Sequence, residues 1–339
     1  MSAPPLVVVD ADVLGRRRTG DETYVLNLLR LLPAAAAGAL RFAAVTRRPD
    51  LVPDGVEPVP LAARSQELRM AWTLPRLLRR LRPALAHFQY ALPLRCPCPA
   101  VVTVHDLSFD AGVMPLRDRL VFRTVVPRAV RSARRVLTVS ERTKRDLVRR
   151  YAVPEAHVVV TPNGVDPAFA PGDGDGGGGD YLLFVGAIQA RKDPLAAADA
   201  AAAVRLPLVV AGPAKDERLA DELRRRGADL RGYVSQAELA ELYRGAACLL
   251  LPSRFEGFGL PVLEAMASGT PVVAADEPAL REVGGDAAVY ARPDAFADAV
   301  RTALAQRDER AAAGLERARS FTWEECARRT VAAYREALR

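Results

Sequence analysis

Short apolar runs alternate with amphipathic stretches along the whole chain, in a strand-then-helix rhythm. In the first half the apolar runs are LVVVDADV, RFAAVTR, ALAHFQY, VVTVHDLSF, RVLTVS and HVVVTPNG, with helical spacing in ETYVLNLLRLL and ERTKRDLVRRY between them. In the second half YLLFVGAI, LPLVVAGP, ACLLLPS and TPVVAAD alternate with DERLADELRRRG and QAELAELYRGAA. Near-continuous apolar strands separated by helices belong to parallel sheets covered on both faces. The pattern therefore predicts an α/β protein built on two doubly wound parallel sheets.

At 339 residues the chain exceeds the usual size of one core, which predicts two domains. The stretch APGDGDGGGGD, from Ala170 to Asp180, is too glycine-rich for a helix or strand and reads as a linker. The expected layout is a first domain over 1–170, a linker over 171–180, a second domain over 181–320 and a closing helix over 321–339. Two Asp-x-Asp triplets invite a metal-site reading. Asp173-Gly174-Asp175 lies in the linker, where nothing holds carboxylates in coordinating geometry, and Asp10-Ala11-Asp12 reads as a pair at a strand end.

Composition narrows the function classes. Half the residues are hydrophobic, 26% are charged, and no apolar run reaches the length of a membrane span. The first residues lack the basic start and apolar core of a signal peptide, so a cytoplasmic location is expected. Cys96, Cys98, Cys248 and Cys326 are scattered, and Cys96-Pro97-Cys98 is too tight for an ordinary zinc pair or structural disulfide, so reduced thiols are expected. His87, His105 and His157 are the only histidines and show no paired helical spacing; no protein-bound metal is expected. The net charge of +7 comes almost wholly from arginine, since Lys144, Lys192 and Lys215 are the only lysines. Such a balance suits an anionic partner or simply a solvated surface. With only 6% aromatic residues the chain lacks the stacking platforms of a single-strand binder, and nucleic acid is not an expected partner.

In open parallel sheets ligands bind beyond the carboxyl ends of the strands, where loops lead into helix N-termini. After ACLLLPS comes Arg254-Phe255-Glu256-Gly257-Phe258-Gly259-Leu260-Pro261, opening a helix that Gly269 ends. Glu256 is expected before this helix and Glu264 in its first turn. Eight helical residues span roughly 12 Å, about the reach of a nucleoside diphosphate sugar. Gly257 and Gly259, flanking Phe258, allow close backbone approach, so their amides and that of Leu260 can face a pyrophosphate. Each carboxylate can accept hydrogen bonds from hydroxyls, one from ribose and one from the sugar. Singly, Glu264 could as well complement the helix dipole and Glu256 be a solvated loop residue; the glycines and Pro261 beside them favour the ligand.

Two carboxylates beside a pyrophosphate call for cations, expected across the cleft. FVGAIQARKDP ends a strand at Gly186 and places Arg191 and Lys192 before Asp193-Pro194, which is expected to cap the next helix. A guanidinium fork and an ammonium suit two phosphates and a developing leaving-group charge. In the first half TVHDLSF ends a strand with His105-Asp106, and RRTGDETYVLNLL puts Gly20 at the start of the first helix. His105 either bonds a sugar hydroxyl or is a strand-end histidine held by backbone.

Taken in order, RRTGDETY, TVHDLSF, LTVSERTKRDL, VTPNGVD, FVGAIQARKDP, LVVAGP and SRFEGFGLPVLEAMASGTPVVAAD resemble the group 1, or family four, retaining glycosyltransferases of the GT-B fold. The likeness covers nearly the whole chain, and the last segment with its Glu-x7-Glu spacing is the most specific. It implies two Rossmann-like domains facing across a cleft. Glu256 would contact the donor hexose, Glu264 the ribose hydroxyls, and Arg191 and Lys192 the diphosphate. Gly20, Gly186, Gly257, Phe258, Gly259 and Leu260 would complete the donor site, with His105 beside the donor sugar and the acceptor. Asn163 and Gly164 would open the interdomain hinge, and the closing helix would cross back to the first domain. The resemblance further implies no cofactor beyond the nucleoside diphosphate sugar as co-substrate, no metal, retention of anomeric configuration, and a glycan or lipid-linked acceptor. Likeness to bacterial mannosyl- and hexosyltransferases of surface polysaccharide assembly makes GDP-mannose the first choice of donor and a UDP-sugar the next.

Other functions fit the same fold. A nucleotide-sugar epimerase would want a further acid/base set, and a phosphorylase a lysine for pyridoxal phosphate, whereas Lys144 and Lys215 are expected on patterned surface helices. A non-catalytic nucleotide-sugar-binding protein would be expected to have lost the cations or carboxylates, which are present. LRMAWTLPRLLRRLRPALAHF combines Trp72, Leu74, Leu77 and Leu78 with Arg69, Arg76, Arg79, Arg80 and Arg82. That pattern suits peripheral contact with an anionic membrane at its inner face, and equally an amphipathic helix covering the sheet.

Overall fold

The computed structural model describes residues 3–16, 19–63, 65–110, 116–172 and 179–339. They form two compact units, one of Met1–Gly164 with Trp323–Arg339, the other of Val165–Thr322. The first contains strands β1 (Leu6–Asp10), β2 (Arg41–Thr46), β3 (Glu57–Pro60), β4 (Leu85–Gln89), β5 (Ala100–Val104), β6 (Arg135–Thr138) and β7 (Val158–Val160). They lie in the order β3-β2-β1-β4-β5-β6-β7, every pair parallel. The second contains β8 (Leu182–Val185), β9 (Leu208–Ala211), β10 (Asp229–Gly232), β11 (Cys248–Leu251), β12 (Val272–Ala275) and β13 (Val289–Ala291), also all parallel, in the order β10-β9-β8-β11-β12-β13. Each sheet reverses its strand order once, between β1 and β4 and between β8 and β11, which creates the crevice where such sheets hold ligands.

The two doubly wound sheets agree with the hydrophobic pattern, and the central strands are sealed on both faces, as at Val7, Val9, Val101, Val102, Leu183, Phe184, Leu249 and Leu250. The sequence reading lacks β3, β10 and β13, all at sheet edges, where β3 and β10 leave most of their residues exposed or half-buried. The chain leaves the first unit at Gly164, earlier than the expected 170, because residues just beyond it pack on the second unit. Phe169 sets its ring edge-on to Tyr243 at 5.7 Å, and Arg244 donates to the Ala170 carbonyl at 3.2 Å. Val165 also donates to the Phe321 carbonyl at 3.2 Å, so the return to the first unit falls at Trp323 rather than 321. Most of the glycine-rich stretch, including Asp173 and Asp175, lies outside the described residues.

In the first unit the helix Thr19–Ala36 buries Tyr24, Val25, Leu28, Leu29 and Leu32 at helical spacing, and the returning helix Trp323–Ala337 buries Trp323, Ala327, Val331 and Tyr334 against it. Tyr334 reaches His87 Nδ1 at 2.6 Å, while His87 Nε2 meets Thr103 Oγ1 at 2.7 Å. Burial pushes His87 down to about 3, so the ring stays neutral and needs both partners. Tyr334→Phe should therefore cost about 1–3 kcal/mol, the range for a buried polar atom left unpaired. Urea unfolding checks this, and an unchanged midpoint would contradict it.

Asp10 and Asp12 are more than a strand-end pair. Both are buried and hold Arg69, itself only 4% exposed, while Arg16 reaches Asp12 as well. Arg69 is thus an internal ion-pair partner rather than a surface cation. The helix Leu74–Leu81 buries Leu74 and Leu78 under the sheet, as an ordinary covering helix does, but Trp72 remains 60% exposed with the Arg76 guanidinium 3.6 Å over its ring. All four cysteines are free, with Cys96 Sγ 4.0 Å from Cys98 Sγ. No helix among the described residues is long and apolar enough to cross a membrane.

Candidate functional site

The crevice of the second sheet lies beyond β8 and β11, and the loops leaving these strands carry Arg191, Lys192 and Glu256. Beyond β8, Gly186 adopts a φ of +148°, and a Cβ there would stand 3.5 Å from Lys192 Cε; the lysine stem lies along the glycine. A single turn, Ala190–Lys192, then brings both cations to the loop after β11. The Arg254 amide donates to the Arg191 carbonyl at 2.9 Å, and Arg191 Nη1 donates to the Phe255 carbonyl. Lys192 Nζ pairs with Glu256 Oε1, and Arg191 Nη1 lies 3.4 Å from Glu256 Oε2. The cations expected across a cleft from Glu256 therefore sit directly against it, on the same unit. Geometry explains this: β8 and β11 are neighbours, so their loops leave the sheet side by side.

Glu256 and Lys192 are both buried. Burial alone would push the Glu256 carboxyl up, but Lys192 and Arg191 outweigh it and hold the group below its ordinary value. Two cations against one carboxylate leave one positive charge in excess. Asp193, placed at the N-cap of the helix Pro194–Val204, does not cap it with its side chain; its carboxylate takes Arg254 Nε and Nη2 at 2.9 and 2.8 Å and ties the two loops together.

The helix Leu260–Ala267 begins at Gly259, whose φ of +107° and whose lack of any side-chain cap leave the positive helix end to backbone amides. A Cβ at Gly259 would stand 2.7 Å from Leu280 Cδ2, so no other residue fits without displacement. Phe258 turns its ring onto Phe321 at 5.8 Å, which leaves only its backbone for a ligand. Glu264 lies in the second turn, not the first. It is half-buried and accepts from the Tyr243 hydroxyl at 2.8 Å. Burial pushes its carboxyl up to about 7; the Tyr243 bond opposes the rise and Asp166 adds to it.

His105 and Gly20 belong to the first unit. Gly20 is exposed, in the first turn of its helix, with no atom of the described residues within 4 Å of where a Cβ would be. Glu22, close behind it, accepts from the Gly15 amide at 2.6 Å and so holds the loop after β1. Among the described residues the His105 ring is held by side chains rather than backbone: its Nε2 lies 2.9 Å from Gln89 Oε1, and Tyr24 and Tyr90 pack on the ring at 4.7 and 5.6 Å. Lys215 is not on a helix but in the loop after β9, where its amide and that of Asp216 both donate to the Ile188 carbonyl at 3.1 Å. Sequence reasoning missed Gln89, Tyr243 and the Arg254–Asp193 tie. Among the described residues no group of three or more His, Cys, Asp or Glu could hold a metal ion.

Comparison with known proteins bears directly on this arrangement. Residues 18–169 match the family described as Glycosyltransferase Family 4, and residues 179–306 match Glycosyl transferases group 1. The O-antigen chain mannosyltransferase B of Escherichia coli is 30% identical over 267 residues, covering 70% of each chain. The chain belongs to the group 1 glycosyltransferases. Another relative of this group 1 chain is the D-inositol 3-phosphate glycosyltransferase of Kineococcus radiotolerans, 34% identical over 256 residues, covering 62% of this chain but only 58% of that protein. Among solved structures the Anabaena protein HepE, in complex with UDP and glucose, superposes with a TM-score of 0.74 at 15% identity, covering 96% of this chain and 98% of its own. That likeness shows the fold, which is GT-B: a group 1 glycosyltransferase with two parallel-sheet α/β domains.

Proposed function

We propose that this glycosyltransferase moves a hexose from a nucleoside diphosphate sugar to a glycan or lipid-linked acceptor, with retention and without a metal ion or other cofactor. The observation that carries the reading is the pairing of Arg191 and Lys192 with Glu256 at the strand-order reversal of the second sheet. As the bond between the anomeric carbon and the diphosphate oxygen breaks, negative charge grows on the leaving group. Arg191, Lys192 and the amides at Gly259 and Leu260 are the groups we assign to it. The acceptor oxygen forms the new glycosidic bond, and its proton passes to the leaving phosphate. Glu256, held ionised by its cations, accepts from hexose hydroxyls; Glu264 accepts from the ribose; His105 contributes a sugar contact from the first unit. The kinship with an enzyme named as a mannosyltransferase supports mannose, and GDP-mannose is our first choice of donor, a UDP-sugar the second.

The test is thermal unfolding with GDP-, UDP-, ADP- and TDP-sugars in EDTA, since a ligand bound only by the native state raises Tm. We expect one nucleotide class to raise it, and the shift to vanish in Glu264→Ala and Lys192→Ala. A donor shift that appears only with a divalent metal would overturn the metal-free reading, and no shift with any donor would overturn the donor site.

A further inference from the structure

Gln89 ends β4, the strand beside the order reversal of the first sheet, and its side-chain oxygen lies 2.9 Å from His105 Nε2, just beyond the neighbouring strand β5. A carbonyl oxygen only accepts, so the proton of a neutral imidazole is drawn to Nε2 and the Nδ1 lone pair is left available. Among the described residues Nδ1 has no hydrogen-bond partner. The ring is also fixed in direction. Tyr24 meets it edge-on, 82° between planes, and is itself anchored by Thr103 Oγ1 at 3.1 Å. Tyr90 packs on it from a backbone with a φ of +59°, a left-handed conformation that a bulky residue adopts only when its surroundings enforce it.

We propose that Gln89 is a positioning residue of the transfer reaction: its amide oxygen sets the proton of His105 on Nε2 and presents Nδ1 as an acceptor for a sugar hydroxyl. This rests on the role given to His105 above. Burial supports it, lowering the basicity of His105 so that the ring stays neutral, against the carboxylates of Asp21 and Asp106, which raise it. Gln89 Nε2 is buried with no hydrogen-bond partner among the described residues, so the bond to His105 is the one this side chain makes.

With only three histidines, the imidazole nitrogens can be resolved by 15N NMR of the full chain. His105 of the wild type should show a protonated Nε2 and a bare Nδ1, and Gln89→Met should shift it toward a mixture of tautomers. Nucleotide release from GDP-mannose or UDP-glucose, whichever stabilises the protein, should fall about 10–100-fold in Gln89→Met with little change in KM. The double variant Gln89→Met/His105→Ala should be no slower than His105→Ala, because one residue acts through the other. A protonated Nδ1 in the wild type, or losses that add in the double variant, would overturn the proposal. If His105→Ala alone leaves turnover unchanged, the assigned role of His105 fails instead, whatever the tautomer, and Gln89 is then no part of catalysis.

Discussion

Lys192→Met should remove donor-dependent stabilisation altogether, lower turnover by about 10²–10³, and lower the Tm of the free protein as well. Both effects come from one ammonium group. It lies against Glu256 where both are buried, so its loss strands a carboxylate with Arg191 as its remaining cation, 3.4 Å away. Breaking a buried pair by removing one partner costs about 3–5 kcal/mol, and the remaining guanidinium reduces this to about 2–4. For a unit of this size that is a fall of roughly 4–16 °C. The pH dependence follows from the depressed folded value of Glu256. Its contribution is present above the unfolded value near 4.5 and is lost as pH falls through the lower folded value. The deficit of Lys192→Met should therefore be widest at neutral pH and narrow in acid. Adding Glu256→Gln removes the stranded charge, so the double variant should regain most of the Tm while remaining inactive. A single variant that melts like the wild type would refute the ion pair, and one that binds donor normally would refute the phosphate role.

Glu264→Gln should move stability and function in opposite directions. The wild-type carboxyl is raised to about 7 by burial and by Asp166, against about 4.5 in the unfolded chain. The unfolded state thus gives up its proton first, and wild-type stability declines as pH rises from about 4.5 to 7. The substituted amide cannot ionise, yet its oxygen still accepts from Tyr243. The variant should be more stable than the wild type by about 1–3 kcal/mol at pH 8, and no more stable at pH 4. Donor affinity should nevertheless fall about 10–100-fold, since an amide offers fewer acceptor sites to a pair of ribose hydroxyls. Melting curves at the two pH values and a donor titration decide it. Equal stability at pH 8 would mean that the carboxylate is better solvated than its surroundings imply.

The parts of the molecule that could be read in the sequence share a physical cause. Nine strands announce themselves because parallel strands inside a covered sheet must be apolar on both faces, and the edge strand β7 because it is an unbroken valine run. The three that do not are edge strands: Glu57–Pro60 holds two exposed prolines beside Glu57, Asp229–Gly232 turns Asp229 and Arg231 to solvent, and Val289–Ala291 is half-buried throughout. Arg191, Lys192, Glu256 and Glu264 were legible because their chemistry and their place after strands are both local. Their partners were not. Gln89 and Tyr243 carry no signal of their own; each matters only because the sheet brings it to a residue distant in sequence, Gln89 to His105 and Tyr243 to Glu264. The placing of both cations against Glu256 required the strand order, since only adjacency of β8 and β11 brings their loops together.

The returning helix Trp323–Ala337 also decides how the chain is made. A ribosome synthesises this helix only after the whole of residues 165–322, about ten to thirty seconds at ordinary elongation rates. During that interval the first unit emerges without its lid: Tyr24, Phe42 and His87, which Trp323 and Tyr334 cover in the finished molecule, face water. The second unit is contiguous in sequence and can close before the first is sealed. The half that is translated first is therefore the half completed last, and its bare apolar face is what a nascent-chain chaperone would meet.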